Sequence, residues 1–502
     1  MRCCVWRPGL AVQQATRRSF TRVCELTKFN VVAFATDVIR RTSYFLLAQI
    51  ASRIINFLYM LFLAARLSTE LFGALSIALT ILIVADTVAD LGLSRLAVRT
   101  LSRDSSLVSS YVGRLISLKL ILSLMTYGVC VAGVLAGGQG PDVTIFILII
   151  GTGLMLTGAA AILESVLQSQ NMFGFIGGAH VGLSLVQAAM GVWVITSGGG
   201  TAALAVTFLV SNLTFLILVL ASVMWKQGIG SMRLAPPFWL SQISQSLPYA
   251  ATAMASILSM RCELLILSWV STPEQVAYFS VAARFNEAAI LTPIVLSTVL
   301  MPIYSRYHHD LPGKLAQSYA PVLQWGLVCA VPAALSVALL VEPVIAMILP
   351  KYLSSAGLAA LMIMSMPLYA ICQLNNAVLL SSDRQGRTML LLAGLAILQF
   401  VIGLAYIIPY SAQGAALSYA TWTLAAAVIS TLLTRFWYLP ELSLFCAVKP
   451  ALLGAVTMGV ALWLMWHSHL AIKLAVAIAV YGPTVWFMMR VQRERCRAAG
   501  IA

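Results

Sequence analysis

Charged residues are scarce in this chain of 502 residues: only 9% are Asp, Glu, Lys or Arg, whereas 61% are hydrophobic. The mean hydropathy is +0.94. A soluble domain carries about 25% charged residues, so this composition excludes one. Apolar stretches of about 20 residues between short polar breaks are typical of spanning helices, because a helix satisfies its own backbone hydrogen bonds in lipid. The sequence therefore predicts an all-α polytopic membrane protein.

Motifs for catalysis and for metal binding are also lacking. The chain has no nucleotide-binding lysine loop and no nucleophile elbow. Its nine cysteines and five histidines follow no metal-ligand spacing, so we expect no metal and no cofactor. A polysaccharide polymerase or ligase would need a large outside loop with catalytic polar residues, and the longest outside loop, around 342–354, contains little beyond Glu342 and Lys351. We therefore expect a protein that is not an enzyme.

Acidic residues are half as frequent as basic ones, with 16 against 31, which gives a formal net charge of +15. If the N-terminus lies inside, 25 of the 31 basic residues fall in cytoplasmic segments, three fall outside and three fall within spans. Basic loops mark the cytoplasmic side, so both termini are predicted to be cytoplasmic. These charges are spread over seven short loops, so we expect no nucleic-acid partner.

Fourteen spans are predicted from the hydrophobic pattern. They lie at 43–65, 71–93, 114–136, 143–167, 174–196, 201–224, 247–270, 276–301, 319–341, 355–380, 388–408, 412–433, 449–466 and 470–489.

Two weak internal matches indicate a duplication of six spans. STELFGALSIA (68–78) resembles STPEQVAYFSVA (271–282), and GGTAALAV (199–206) resembles AQGAALSY (412–419). Both matches join equivalent places in the two halves, which favours two six-helix lobes followed by two appended helices. The predicted segments are a basic cytoplasmic N-terminal segment 1–41, an N-lobe 42–225, a cytoplasmic linker 226–246, a C-lobe 247–435, two further helices within 436–489, and a basic cytoplasmic tail 490–502.

The first predicted span contains an arginine within an otherwise apolar run. Gln49, Arg53 and Asn56 are spaced so that they share one helix face, and Ser52 is expected to lie with them. An arginine at mid-membrane costs roughly 2.5–3.5 kcal/mol on an insertion scale, so this face must meet other helices or water.

The seventh and eighth spans contain Arg261 and Arg284. Because equivalent helices of two lobes line a central gap, we expect Arg53, Arg261 and Arg284 to form one cationic chamber suited to phosphate. Two alternatives remain open. Arg284 and Glu287, three residues apart, are spaced to neutralise each other as a structural pair, and Arg261 can serve a bond between helices.

The second span contains two acids, Asp86 and Asp90, one helical turn apart. Asp90 lies near the cytoplasmic end, where pairing with an arginine beyond the helix is expected. Asp86 lies deeper and is a candidate H⁺ or Na⁺ site. Together with Glu287, these acids are the candidate groups for ion coupling.

Three stretches resemble the Wzx-type oligosaccharide flippases. In AARLSTELFGALSIALTILIVADTVADLGLSRLAVR (64–99), the family's pattern falls on Arg66-Leu67, Phe72-Gly73, Asp90 to Leu93, and Arg99. In CELLILSWVSTPEQVAYFSVAARF (262–285), it falls on Phe279, Ala282 and Arg284. The third stretch is VEPVIAMILPKYLSSA (341–356), in which Pro350 stands where the family has glycine.

The resemblance implies the multidrug/oligosaccharidyl-lipid/polysaccharide exporter fold, with two six-helix bundles around a cavity that opens to each side in turn. It also implies the bacterial inner membrane, contact with membrane lipid, and a polyprenyl-diphosphate-linked oligosaccharide as cargo, with other polysaccharide-assembly proteins as candidate partners. A cation-coupled multidrug antiporter, for which Asp86 would be decisive, and a flippase for the lipid-linked peptidoglycan precursor are the alternatives.

Overall fold

A computed structural model describes residues 31–226, 235–310, 312–381, 385–438, 444–464, 479–485 and 490. Within these ranges the regular structure is entirely helical, as predicted. The predicted N-terminal segment 1–41 lies mostly outside the described residues, as do most of the last predicted span and nearly all of the C-terminal tail.

The first lobe is built from eight α-helices. They are α1 Val31–Arg66, α2 Thr69–Asp90, α3 Leu93–Arg103, α4 Val108–Ala136, α5 Pro141–Gly151, α6 Gly153–Ser169, α7 Phe173–Thr196 and α8 Thr201–Lys226. The second lobe contains α9 Pro236–Val270, α10 Pro273–Ala289, α11 Leu291–Asp310, α12 Pro312–Ile348, α13 Ser355–Met364, α14 Met366–Leu380 and α15 Gln385–Tyr438, and an appended helix, α16 Leu444–Leu464, follows.

Nine helices in the described part of the chain are long and apolar enough to cross a membrane, and two bent pairs raise that number to eleven. The longest, α15, contains two spans, because its backbone leaves the helical region at Ser411. Trp422 Nε1 donates to the Leu395 carbonyl at 3.2 Å across this bend, so the two halves pack side by side. In the first lobe, α5 and α6 together form one span and the short α3 is not a span, so its eight helices make six spans. The architecture of two six-helix lobes is therefore present, and the predicted total of fourteen spans is consistent with it.

The helix starts follow from local chemistry. Ser68 caps α2 by accepting a hydrogen bond from the Leu71 N–H at 3.2 Å, and Pro273 begins α10 directly after the cap residue Thr272. These cap residues occupy equivalent positions in the two duplicated stretches. The start of α9, in contrast, lies at Pro236, within the segment that the sequence predicts as a linker.

The two lobes meet closely at the end of the bundle that the charge pattern predicts to be periplasmic. A Cβ atom at Gly73 in α2 would lie 1.9 Å from the Pro273 carbonyl oxygen of α10, so only glycine permits this approach. Tyr352 is fully buried beside this contact, with edge contacts to Phe72 and Tyr278. The equivalent helices of the two lobes therefore close this end.

Lys351 adds a polar contact to the same closed end. Its ammonium donates to the carbonyls of Ala65 and Leu67, which terminate α1 in the opposite lobe. A cation is favourable at a helix C-terminus because the last carbonyls have no partners within the helix. Desolvation at this position lowers the pKa of the Lys351 amine.

The opposite end of the bundle is closed by α3 and α9. A Cβ atom at Gly92, whose φ is +73°, would lie 2.6 Å from the Ala250 nitrogen. Arg95 donates to Thr252 Oγ1 and Arg99 to the Tyr249 hydroxyl, each at 3.1 Å. The lobes therefore meet at both ends of the bundle.

The Gly73 contact gives the first testable expectation. Gly73→Ala should lower stability by about 1–3 kcal/mol, the usual range for overpacking, because its methyl group overlaps the Pro273 carbonyl. Thermal unfolding of the purified protein in detergent measures the change. Gly128→Ala in α4 is the matched control, since its Cβ meets nothing within 4 Å. Equal unfolding temperatures for the two variants would contradict this close approach.

Candidate functional site

A cleft of about 130 Å³ lies between α1 and α11, that is, between the two lobes. The residues that line it are Gln49, Ile50 and Arg53 from α1 and Leu291, Ile294, Val295 and Thr298 from α11. The wall from α1 is polar at two of its three positions, and the wall from α11 is apolar apart from one threonine. The cleft therefore offers both a charge and an apolar surface.

Arg53 is exposed toward this cleft and makes no hydrogen bond or ion pair with any residue that the structure describes. It faces the second lobe, because the other wall of this cleft is α11. One turn further along α1, the Phe57 ring contacts Phe285 of α10, with ring centroids 5.7 Å apart. An unpartnered guanidinium thus lies at the junction of the lobes.

Arg261 and Arg284 share one carboxylate. Glu287 Oε1 accepts from Arg261 Nη1 at 3.1 Å, and Glu287 Oε2 accepts from Arg284 Nη1 at 3.0 Å. Each arginine side chain is 18% exposed, and the Glu287 side chain is 40% exposed. Arg261 Nε is buried without a partner among the described residues. This group of two cations and one anion retains one positive charge and an unused donor.

The other residues of the polar face predicted for α1 do not all lie at the cleft with Arg53. Gln49 lines the cleft with Arg53, whereas Asn56, two turns from Gln49, is not among the lining residues. Ser52 bonds to the Ser184 hydroxyl at 2.6 Å and to the His180 carbonyl, both on α7. The expectation that Ser52 shares the face of Arg53 is therefore wrong, because its hydroxyl is used within the first lobe.

The two acids of α2 belong to a separate cluster inside the first lobe. Asp90 accepts from Lys119 Nζ at 3.1 Å and from the Ser94 hydroxyl at 2.6 Å. Its partner is thus a lysine of α4, not the expected arginine beyond the helix. The charge of Lys119 also acts on Asp86. The loop tally assigns Lys119 to the cytoplasmic side, so sequence reasoning missed it, although its position within the third hydrophobic run was a usable signal.

Glu263 lies two residues after Arg261 and bonds to a different helix, α15, so it is on a different face of α9. It is buried and accepts from Gln399 Nε2 at 2.9 Å. The described residues contain no group of three His, Cys, Asp or Glu side chains arranged to hold a metal ion.

A family model described as polysaccharide biosynthesis protein matches residues 62–356, more than half of the chain. The chain belongs to this family. The matched range includes all of α2 through α12, and with them Arg261, Arg284 and Glu287, while Arg53 precedes it by nine residues. No curated protein matches the chain in a sequence search.

Solved structures show that this member of the polysaccharide biosynthesis family has the fold of the MOP superfamily. One similar structure is a lipid II flippase MurJ in an inward closed conformation, with a TM-score of 0.71 and 15% identity, covering 89% of this chain and 98% of that one. Another is an inward-facing multidrug resistance MATE family transporter, with a TM-score of 0.64 and 15% identity, covering 81% and 99%.

A third similar structure is a MOP superfamily transporter from Pyrococcus furiosus, with a TM-score of 0.56 and 14% identity, covering 80% of this chain and 94% of that one. Its binding pocket is described as having reverse polarity, which is taken there to suggest a different function. These likenesses confirm the predicted fold class. Together with the family match, they support the predicted resemblance to Wzx-type flippases.

The shared carboxylate makes a second expectation testable. Glu287→Gln should lower stability by about 1–3 kcal/mol, because two neighbouring guanidinium groups then face a neutral amide; the exposure of Glu287 keeps the loss below that of a fully buried pair. Thermal unfolding measures this effect. Glu274→Gln is the control, because Glu274 is exposed and bonds only to the Tyr278 hydroxyl. The arrangement would be contradicted if Glu287→Gln unfolded no earlier than the control.

Proposed function

We propose that this protein is a flippase that moves a polyprenyl-diphosphate-linked oligosaccharide from the cytoplasmic to the periplasmic leaflet of the bacterial inner membrane. It acts by alternating access in exopolysaccharide or O-antigen-type export, with both termini in the cytoplasm. The observation that carries the proposal is the unpartnered Arg53 guanidinium in a cleft whose opposite wall is apolar. A lipid diphosphate is an amphiphile that needs both surfaces.

The charge count supports a diphosphate. Arg261, Arg284 and Glu287 together carry a formal charge of +1, and Arg53 adds another. A diphosphate that links a lipid to a sugar carries two negative charges. In this proposal Arg53 of the cleft wall supplies one positive charge, and the group of Arg261, Arg284 and Glu287, which is not among the residues that line the cleft, supplies the other. Arginine suits such a group because its planar fork donates two parallel hydrogen bonds to phosphate oxygens.

The arrangement of charges also bears on how the headgroup is bound and how it is released. Glu287 holds two of the guanidinium groups, so a bound phosphate competes with an existing carboxylate partner rather than meeting two free cations. Arg53 has no such competitor among the described residues. In this proposal Arg53 attracts the headgroup into the cleft, and the Glu287 carboxylate limits how tightly the other two arginines hold it. A transported group requires this balance, because it has to leave on the other side.

The family match favours a glycan-bearing lipid over a drug as cargo, because the matched model describes polysaccharide biosynthesis. Coupling to H⁺ or Na⁺ through Asp86 stays a prediction in which the two ions are alternatives, and the Lys119 ammonium beside Asp90 is an obstacle to Na⁺. Contacts with other polysaccharide-assembly proteins also stay a prediction. Asp90 and Glu287, the other two candidate coupling groups, act within ion pairs.

Substitutions at Arg53 test the cargo site. Arg53→Ala and Arg53→Glu should reduce export at least about tenfold at unchanged protein level, because one charged hydrogen bond to phosphate contributes about 1.5–3 kcal/mol. Arg53→Lys should retain part of the activity, since it keeps the charge and loses the fork. The measurement is restoration of surface polysaccharide in a strain that lacks the gene, with an immunoblot for protein level.

Arg66→Ala is the matched control, because Arg66 ends the same helix, is exposed and lies outside the cleft. This variant should restore export fully. Full restoration by Arg53→Glu would remove Arg53 from the mechanism. Alternating access has its own readout: Ile50→Cys in the cleft should react with impermeant thiol reagents from each side of the membrane in turn. Reaction from one side only under all conditions would count against it.

A further inference from the structure

A buried ionic cluster in the first lobe is not used by the proposed cargo site. Asp86 and Asp90 lie one turn apart at the end of α2, and Lys119 Nζ of α4 lies 3.1 Å from Asp90 Oδ1. The Thr157 hydroxyl of α6 lies 3.4 Å from Asp86 Oδ1. Three helices of one lobe therefore bring two carboxylates to one ammonium.

The space around the ammonium is shaped by α6. Lys119 has an exposure of 0%. A Cβ atom at Gly158 would lie 3.0 Å from Lys119 Cε and 2.7 Å from Ser123 Oγ, so glycine leaves the room that the lysine side chain fills. Ser123, one turn after Lys119, is also fully buried, and its hydroxyl has no hydrogen-bond partner among the described residues.

The charges in this cluster do not cancel. Asp86 and Asp90 lie one turn apart on α2 and Lys119 is paired with Asp90, so the cluster has a formal charge of −1 when both acids are ionised. Asp90 is also the last residue of α2, where the helix dipole disfavours a negative charge. A cation between the two acids is therefore favourable electrostatically, and Lys119 is the cation that the chain itself supplies.

We propose that the Asp86–Asp90 pair, with the Ser123 and Thr157 hydroxyls, is a monovalent-cation site whose resident cation is the ammonium of Lys119. Na⁺ and an ammonium group carry the same charge and both take oxygen ligands. While Lys119 is in place, Na⁺ is excluded, because the lysine fills the space and a second cation a few ångströms away would be repelled. The first lobe therefore needs no Na⁺, and removing the ammonium opens a Na⁺ site.

The experiment compares thermal unfolding of the purified full-length protein in NaCl and in choline chloride at equal ionic strength. The wild type should show no difference between the two salts. Lys119→Met should show a saturable rise in unfolding temperature with Na⁺, by about 2 °C or more at tenfold the dissociation constant. The double variant Lys119→Met/Asp86→Asn should lose this rise, because one carboxylate ligand is gone.

Two outcomes would overturn the proposal. One is Na⁺-specific stabilisation of the wild type that Asp86→Asn abolishes. The other is a folded, monodisperse Lys119→Met protein that does not respond to Na⁺. If Lys119→Met aggregates, the wild type and Asp86→Asn decide the question. Asp86→Asn keeps the Lys119–Asp90 pair and removes the excess negative charge, so it should unfold no earlier than the wild type and ignore Na⁺; earlier unfolding or a Na⁺ response would contradict the proposal.

The test uses neither cargo nor transport, so its failure and that of the cargo proposal are distinguishable. Arg53→Glu added to Lys119→Met should leave the Na⁺ response intact, because Arg53 lies in the cleft between the lobes. Loss of the response in that variant would mean that the two sites are not separate.

Discussion

The pairing of charges inside an apolar bundle is the constraint on which this structure depends. Lipid supplies no hydrogen-bond partners, so a charged side chain in a span must find a partner in the protein or reach water. Lys119 and Asp90 satisfy this condition within one lobe, and Arg261, Arg284 and Glu287 satisfy it within the other. Arg53 is the exception among these groups, and it lies at a cleft. The location of Arg53 at the cleft is therefore the feature that suggests a function for the bundle.

The two ionic clusters leave opposite residual charges. The cluster of Arg261, Arg284 and Glu287 has a formal charge of +1, whereas the cluster of Asp86, Asp90 and Lys119 has a formal charge of −1. A surplus cation in the second lobe suits an anionic group, and a surplus anion in the first lobe suits a small cation. The sequence predicts that the two lobes are a duplication, and the structure shows that their charged side chains are paired differently.

Much of the fold follows from the sequence, because hydrophobic run length and basic loops are local properties. The pair of Arg284 and Glu287 could also be predicted from the sequence, since residues three apart on a helix are neighbours on its surface. The bond from Arg261 to the same carboxylate joins α9 to α10, and the Lys119–Asp90 pair joins α4 to α2. Neither pair can be predicted from sequence spacing, because its members lie on different helices. The direction of Ser52 was missed for the same reason, because its partners lie on α7.

The helix α1 links the cleft to the closed end of the bundle. Arg53 precedes Arg66, the last residue of the helix, by 13 positions, which corresponds to about 20 Å along a continuous helix. Lys351 of the second lobe holds the carbonyls at that end of α1, and the Gly73–Pro273 contact lies beside it. Under the proposed alternating access, an anionic headgroup held by Arg53 and an opening of the lobes at Lys351 would therefore act on the same continuous helix, so that binding in the cleft and release of the closed end are coupled through α1.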